Sequence, residues 1–366
     1  MNPPRPLVAC LLLVGLLHVV PLHAGPLSVV DPGQGVVALP KGTTAAAELS
    51  GITWIGGTSW LAVGDNGAKA LWQIDAAIDQ ADGRVLSPTV TGSIAAPTLG
   101  NDSEGIAFRP DAGSVYVSDE VASTIQGIAL PGGGPAPTVT VPAIYAPANV
   151  QSNMGLESLA WGGSALWTAN EETLLPDGSI STTTNGSLVR IQRFDAAGAP
   201  NGQWAYRTDP ISAMNPFVTQ ERSGVVDIVP WSATTLLVLE RELGGSVLPS
   251  FRSRIYEVDV SGATDVSALP SLLGSGVSPL SKTLLWERSF ASSNFEGMSW
   301  GPGAAGGRSL LLVSDDGGGL SQNLYALVVV PEPGTALLLL SAAAAAASAA
   351  GRRGRRGGRT TTPLRP

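Results

Sequence analysis

Acidic residues recur at matching points of several short apolar segments, in the number and kind that a hard divalent cation needs. Glu104, Glu157 and Glu296 each precede an apolar residue by two positions and an aromatic residue by four. Carboxylates gathered within a few Å cannot all stay ionised unless a cation neutralises them. Ca²⁺ takes roughly six to eight oxygen ligands and is the ion that such a group predicts. The predicted ligands are Asp65, Asp102, Glu104, Asp119, Glu157, Glu171, Glu240, Glu296 and Asp315, and Glu120 is considered with them.

A bound cation could hold a phosphate and activate water, so this pattern allows a metal-dependent phosphoester hydrolase. Glu104, Glu157 and Glu296 are the catalytic candidates because they occupy the same position of a repeated motif. Arginines could add a clamp for the phosphate, since guanidinium groups bind phosphate oxygens in pairs. The arginines considered for that role are Arg222 and Arg241, together with Arg252 and Arg254.

Each of these charged residues also has a structural interpretation. An acid at the end of a strand can accept backbone N–H hydrogen bonds and close a turn. An arginine can be ordinary surface charge. The sequence leaves metal binding and turn closure open for the acids as a group, and it favours surface charge for the arginines.

The distribution of histidine and cysteine excludes several kinds of chemistry. The two histidines, His18 and His23, and the single cysteine, Cys10, all lie within the first 24 residues. The rest of the chain therefore cannot form a Ser-His-Asp triad, a cysteine nucleophile, a zinc site with His or Cys ligands, or a disulfide. Any chemistry must use carboxylates, hydroxyl groups, Lys, Arg or an oxygen-ligated metal.

Charge limits the partners. Residues 25–330 carry 28 acidic and 14 basic side chains, a net charge near −14. Nucleic-acid binding requires a basic surface, so we expect no nucleic-acid partner. A phosphorylated substrate would also be repelled unless a divalent cation bridged it to the protein.

Five copies of the motif organise the chain, with starts 53 to 70 residues apart. Each copy is followed by a turn, by a second apolar strand that ends in an acid, and in several copies by a third strand. Repeats of this kind are typical of β-propeller blades. We therefore expect an all-β fold, a propeller over residues 25–330, with six blades as the main expectation and five or seven as alternatives. The copies begin at Ser50, Glu104, Glu157, Asp227 and, last, Glu296, the Asp227 copy being the loosest.

Four of the five motif copies have a tryptophan four residues after their first residue, and these tryptophans allow two interpretations. A fixed position on one strand face predicts packing between blades. A platform that stacks on sugar rings is the less favoured alternative. The residues concerned are Trp54, Trp161, Trp231 and Trp300.

The two ends read as export signals. Residues 1–24 combine Arg5 with an apolar run and predict a secretory signal peptide. Residues 331–366 begin with Pro-Glu-Pro, continue with an apolar run over 336–350 and end in an arginine cluster. This order resembles the PEP-CTERM sorting signal of Gram-negative bacteria. The resemblance implies export to the periplasm, outer surface or extracellular matrix, processing by an exosortase-type enzyme, transient anchoring by the C-terminal helix, and an exopolysaccharide-producing host.

The motif segments also resemble a known family over roughly residues 45–328. Segments 102–108, 153–160, 294–298 and 312–316 are similar to the phytase-like domain described as esterase-like activity of phytase. The resemblance implies a β-propeller and, by its name, phosphoester hydrolysis. Ser50 departs from the pattern, because it stands where the other copies have glutamate.

Three functions remain open. The first is a metal-dependent hydrolase of a small phosphoester, the second a non-catalytic propeller that binds a ligand or an extracellular polymer, and the third an exported structural protein. The resemblance favours the enzyme, whereas the excess of negative charge favours binding.

Overall fold

Short apolar runs separated by Gly- and Pro-rich turns form antiparallel strands throughout the computed structural model. It describes residues 26–332 except 66, 214–221, 246, 249, 318 and 319. In these ranges the only helices are three 3-10 turns, at Ala143–Tyr145, Pro147–Asn149 and Leu175–Asp177. Leu27–Val330 form one compact unit. Both predicted export signals lie outside the described residues, apart from Pro331 and Glu332.

The strands form five antiparallel sheets. Two short strands come first, β1 (Leu27–Val30) and β2 (Val37–Ala38). Blade 1 contains β3 (Leu49–Gly56), β4 (Ser59–Gly64), β5 (Ala70–Ile78) and β6 (Val85–Ala95). Blade 2 contains β7 (Ser103–Arg109), β8 (Ser114–Asp119), β9 (Thr124–Ala129) and β10 (Pro135–Ala136).

The remaining blades repeat this order. Blade 3 contains β11 (Ala160–Gly162), β12 (Ala165–Ala169), β13 (Leu188–Phe194) and β14 (Pro200–Arg207). Blade 4 contains β15 (Arg222–Pro230), β16 (Thr235–Gly244), β17 (Ser250–Asp259) and β18 (Lys282–Phe290). Blade 5 contains β19 (Asn294–Ala304), β20 (Gly307–Asp315) and β21 (Asn323–Pro331).

Blade 5 is completed by the start of the chain. β1 pairs with the outer side of β21, and β2 pairs with the far end of the same strand. The innermost strands β3, β7, β11, β15 and β19 each contact the next one around a closed ring. The predicted β-propeller is therefore confirmed.

The blade number is five, which was an alternative, and not the six that was the main expectation. Each of the five motif copies forms the innermost strand of one complete sheet. The N-terminal strands β1 and β2 are part of blade 5 and do not form a further blade. The long intervals before the last two copies contain loops and long strands instead of an extra sheet.

Side chains of the inner strands tie neighbouring blades together. Thr53 Oγ1 accepts a hydrogen bond from the Phe108 backbone N–H at 3.0 Å, and Ser299 Oγ accepts one from the Trp54 N–H at 3.0 Å. Asp227 does the same in blade 4, since its Oδ2 accepts the Met298 N–H at 2.5 Å. Its carboxyl group also accepts a backbone hydrogen bond from Leu159. Asp227 thus links blades 3, 4 and 5.

Replacing Asp227 by Ala should destabilise the propeller, because two buried N–H groups of neighbouring blades lose their acceptor. The expected cost is about 2–4 kcal/mol in the free energy of unfolding. Asp227→Asn keeps an acceptor oxygen and should cost clearly less. Urea unfolding of both variants measures the difference, with Asp82→Ala, at a half-exposed aspartate, as control. Equal stability of Asp227→Ala and the control would contradict this role.

Candidate functional site

The first motif position of each inner strand lies at one end of the axis. β19 has its register shift around Glu296, between Phe295 and Gly297, and β15 has the matching shift around Val226, between Val225 and Asp227. In blade 4 the residue equivalent to Glu296 is therefore Val226, one residue before Asp227, where the sequence motif begins. The equivalent residues of the five blades are Ser50, Glu104, Glu157, Val226 and Glu296.

A second equivalent position follows from strand pairing. Ile106 pairs with Val117 in blade 2, and Met298 pairs with Leu312 in blade 5. Three residues beyond each of these partners comes an acid, Glu120 or Asp315. When the residue three positions beyond the pairing partner is taken in every blade, the result is a ring of four acids and one arginine. Its members are Asp65, Glu120, Glu171, Arg241 and Asp315.

Eight of these ten residues line one axial cavity of about 580 Å³, and Ser50 and Val226 do not. Asn153 and Asn294 join them there, together with a few apolar side chains. The cavity thus gathers seven carboxyl groups and two guanidinium groups. Six of these acids were predicted as ligands from the sequence pattern and a seventh, Glu120, was considered with them. The acids are Asp65, Glu104, Glu120, Glu157, Glu171, Glu296 and Asp315.

Three predicted ligands do not line the cavity. Asp119 closes a turn by accepting the Ala122 N–H at 2.6 Å. Glu240 accepts from Tyr206 at 2.6 Å and forms an ion pair with Lys282 at 2.5 Å. Both stand one residue before the cavity-lining position, and neighbouring residues of a strand point to opposite faces. Asp102 lies at the edge, with a carboxylate oxygen within 4.8 Å of oxygens of Glu104 and Glu120.

The predicted arginines separate into two pairs. Arg241 Nη2 lies 3.0 Å from Glu171 Oε1 and 2.9 Å from Glu296 Oε1. Arg222 Nη1 lies 3.5 Å from Glu171 Oε2 at the cavity wall. The other pair, Arg252 and Arg254, forms ion pairs within blade 4, with Glu287 at 2.7 Å and Glu242 at 2.5 Å.

Several polar groups in the cavity lack the partners that buried groups normally have, among them Asp65 Oδ1 and Arg241 Nε. Asn294 is 8% exposed, its Nδ2 donates to Glu296 Oε1 at 2.8 Å, and its buried Oδ1 has no partner among the described residues. No hydrogen bond from the described part of the chain reaches the carboxyl group of Glu157, which is 6% exposed. Free oxygens aimed at an acidic cavity are available as cation ligands.

Burial and mutual repulsion raise the pKa values of the carboxyl groups. Burial, and then repulsion by Asp315, raises the pKa of Asp65 to about 7. Burial and neighbouring acids likewise raise the pKa values of Glu120 and Glu296 to about 8, although Arg241 opposes the shift at Glu296. Burial raises the pKa of Glu157 well above its ordinary value. Without a cation, several of these groups are protonated near neutral pH.

The donor set fits a hard divalent cation. One group of carboxylate oxygens, from Glu120, Glu157 and Glu171, lies within 4.8 Å of one another, and a second joins Glu120 to Asp102 and Glu104. All are oxygen donors, which suits Ca²⁺ or Mg²⁺. Glu120, which the sequence analysis considered beside the predicted ligands, belongs to both groups. The alternation of the strand is the signal that would have favoured it.

Fold and site together define a five-bladed propeller with an acidic axial cavity. The profile of the phytase-like family, described as esterase-like activity of phytase, matches residues 44–318. The chain belongs to this family. The PEP-CTERM protein-sorting motif matches residues 329–356, so both expected resemblances are confirmed and the chain carries an export signal of Gram-negative bacteria. No curated protein matches it significantly.

Solved structures are similar only at low scores. The WD40 propeller domain of Doa1 is 8% identical, with a TM-score of 0.35, over 82% of this chain and 99% of that one. A DUF4221 protein from Bacteroides vulgatus is 9% identical, with a TM-score of 0.39, over 84% and 99%. The WD40 domain of Toxoplasma gondii coronin is 13% identical, with a TM-score of 0.38, over 86% and 88%. Likenesses this weak carry no information on function.

The raised pKa values predict how stability varies with pH in the absence of a cation. Folding raises the pKa values of Asp65, Glu120 and Glu296, so the native state holds protons that the unfolded chain releases above about pH 4. The stabilisation is complete below the unfolded pKa values and is lost as pH rises toward 8. The melting temperature in EDTA should therefore fall between about pH 5 and pH 8.5.

The variant Glu296→Gln should flatten this slope, because the amide does not titrate. Glu287→Gln, at a half-exposed glutamate outside the cavity, is the matched control and should keep the wild-type slope. Differential scanning calorimetry measures all three proteins. A melting temperature that rises with pH over this range would contradict the assignment of these shifts to the cavity.

Proposed function

We propose that this exported protein is a surface-associated hydrolase of small phosphoesters whose axial cavity works with a bound divalent cation, Ca²⁺. The observation that carries the proposal is the convergence of seven carboxyl groups on one cavity that also holds Arg241 and the partnerless Asn294 Oδ1. Turn closure alone would not bring acids from four blades to a single cavity. Membership of the phytase-like family supports the same chemistry.

Glu120, Glu157 and Glu171 would hold the cation, with Asn294 as a further oxygen donor. When bound, Ca²⁺ would supply positive charge for an anionic phosphate and for polarising water. Arg241 is held in place by Glu171 and Glu296, and these carboxylates raise its pKa despite its burial, so it stays charged and can contact a phosphate oxygen. Glu104 keeps a raised pKa and can exchange a proton with the substrate.

A non-catalytic binding propeller is the second candidate. The net charge near −14 of residues 25–330 favours it, because this field repels phosphorylated substrates. In that case the cation would order the cavity or bridge an acidic extracellular polymer, and no bond would be broken. Both candidate functions include a bound cation, but only the hydrolase turns over a substrate.

Cation binding should appear as a rise in melting temperature. An ion that binds only the native state at a hundredfold excess over Kd adds about 2.7 kcal/mol to the free energy of unfolding. Added Ca²⁺ should therefore raise the melting temperature and EDTA should lower it. Glu157→Gln keeps the size of the side chain but loses its charge, and should weaken the response.

Glu172→Gln is the matched control for Glu157→Gln. Glu172 is also a buried glutamate of blade 3, but its carboxylate accepts hydrogen bonds from Ser181 and does not line the cavity. This variant should keep the Ca²⁺ response. A melting temperature that neither Ca²⁺ nor EDTA changes would leave these acids with a structural role only.

Turnover separates the two candidates. The purified protein should release nitrophenol from para-nitrophenyl phosphate with Ca²⁺ and not with EDTA, and para-nitrophenyl acetate tests for a carboxylesterase. Arg241→Gln should lower kcat/KM by about tenfold or more, because a charged phosphate contact is lost. Arg252→Gln, which removes a guanidinium group outside the cavity, should not. Binding of Ca²⁺ without hydrolysis of either ester would favour the binding propeller.

The C-terminal signal supports processing by an exosortase-type enzyme after transient anchoring in the inner membrane. No helix among the described residues is long and apolar enough to cross a bilayer. The apolar run over 336–350, proposed as the anchor, lies outside them. Intact-mass analysis of the protein from its native host should show loss of the residues beyond the Pro-Glu-Pro segment. Recovery of the complete tail would contradict processing.

A further inference from the structure

A second cavity lies at the opposite end of the inner strands. Its volume is about 330 Å³, and its walls come from the C-terminal halves of the same strands that begin at the acidic cavity. Glu104 and Phe108 of β7, which line the two different cavities, are four residues and about 13 Å apart along the strand. An apolar plug separates the cavities. Its members are Ile52, Ile106, Leu159 and Met298, each 2% exposed.

Aromatic rings form the walls of this second cavity. Trp54, Phe108 and Trp161 are half-buried there, while Trp300 is 6% exposed and packs against Trp231 with the ring centroids 5.4 Å apart. The packing between blades that the sequence predicts describes Trp300. Trp54 and Trp161 also pack against the hydrophobic core, but their rings are only half-buried and stay accessible from the cavity. Accessible aromatic faces bind flat rings by stacking.

Arg308 gives this cavity a positive charge without a counterion. Its guanidinium carbon lies 4.8 Å from the centroid of the Trp300 ring, and its Nε donates to the Gly301 carbonyl at 3.4 Å. No carboxylate of the described residues lies within ion-pair distance of it, and burial alone lowers its pKa. Arg109 also lies at this end, with its guanidinium carbon 4.5 Å from the centroid of the Trp161 ring, but it is held by an ion pair with Asp111.

The lining contains no acidic residue, although the surrounding domain carries 28 of them. The remaining polar side chains of the wall are already engaged, since Thr53 Oγ1 and Ser299 Oγ accept backbone hydrogen bonds from the inner strands. Arg308 is therefore the group in the wall that can pair with a ligand. A lone guanidinium group beside accessible aromatic faces fits a carboxylate attached to a flat ring.

We infer that this second cavity, the aromatic pocket, binds a single ring that bears a carboxylate, either an acidic sugar or an aromatic acid. The volume is at the lower end of ligand cavities and admits about one such ring. The ring stacks on Trp54 or Trp161, and the carboxylate pairs with Arg308. The inference does not depend on the proposed cation or on hydrolysis, because the apolar plug separates the two cavities.

Tryptophan fluorescence of the purified protein tests this inference, since three of the wall residues are tryptophans. The probes are glucuronate and benzoate, each paired with a neutral counterpart, glucose or benzamide. At least one carboxylate should give saturable quenching, with a Kd about tenfold or more below that of its counterpart. Saturation by glucuronate identifies an acidic sugar, and saturation by benzoate an aromatic acid.

Two variants test which residues cause the preference for the carboxylate over its neutral counterpart. Arg308→Gln should abolish the preference for the carboxylate, and Trp161→Leu should weaken both members of a pair together. Arg193→Gln is the matched control, because Arg193 also stacks on tryptophan, 5.3 Å from the Trp204 centroid, but lies outside the pocket. Near-UV circular dichroism checks that each variant is folded. Absence of saturable binding by both carboxylates, or a preference that survives in folded Arg308→Gln, would overturn the inference.

Discussion

Five strands that converge on one axis leave little freedom to the side chains at their ends. Eight of the ten equivalent positions, at the starts of the inner strands and after the second strands, face the axial cavity. The residues at these eight positions must share about 580 Å³. Seven of them are acids, so the propeller imposes a repulsion that protons, Arg241 or a cation must relieve.

Arg241 is the protein's own positive charge that reduces this repulsion. It occupies in blade 4 the position that holds an acid in each of the other blades, and it reaches both Glu171 and Glu296. Together with Arg222 it supplies two guanidinium groups, which cannot balance seven carboxyl groups, and the raised pKa values of Asp65, Glu120 and Glu296 show the excess. The same balance makes the cavity receptive to a divalent cation and sensitive to pH.

Much of the fold could be predicted from the motif, because a repeated strand pattern at this interval has few solutions other than a propeller. Its three glutamates, Glu104, Glu157 and Glu296, do reach the cavity. Blade number could not be predicted, since a sequence does not show that β1 joins the last sheet. Blade 4 was misaligned because the residue equivalent to the motif glutamates is Val226, and the acid beside it, Asp227, matched the motif one residue late.

The errors among the second-strand acids have one physical cause. Asp119 and Glu240 end their strands as expected, but neighbouring strand residues point to opposite faces, so the cavity receives Glu120 and Arg241. Because the buried apolar plug lies between the two ends of the inner strands, their aromatic ends form a pocket that is separate from the acidic cavity. Neither result could be read from composition or spacing alone.

A crystal structure of the protein grown with Ca²⁺, repeated with Mn²⁺ for its anomalous signal, tests the central claim most directly. The claim is that the acidic cavity binds a divalent cation. It predicts an anomalous peak in the cavity, with carboxylate oxygens of Glu120, Glu157 and Glu171 around it at bonding distance. An ordered cavity that holds only water and protein hydrogen bonds at saturating cation would contradict the claim.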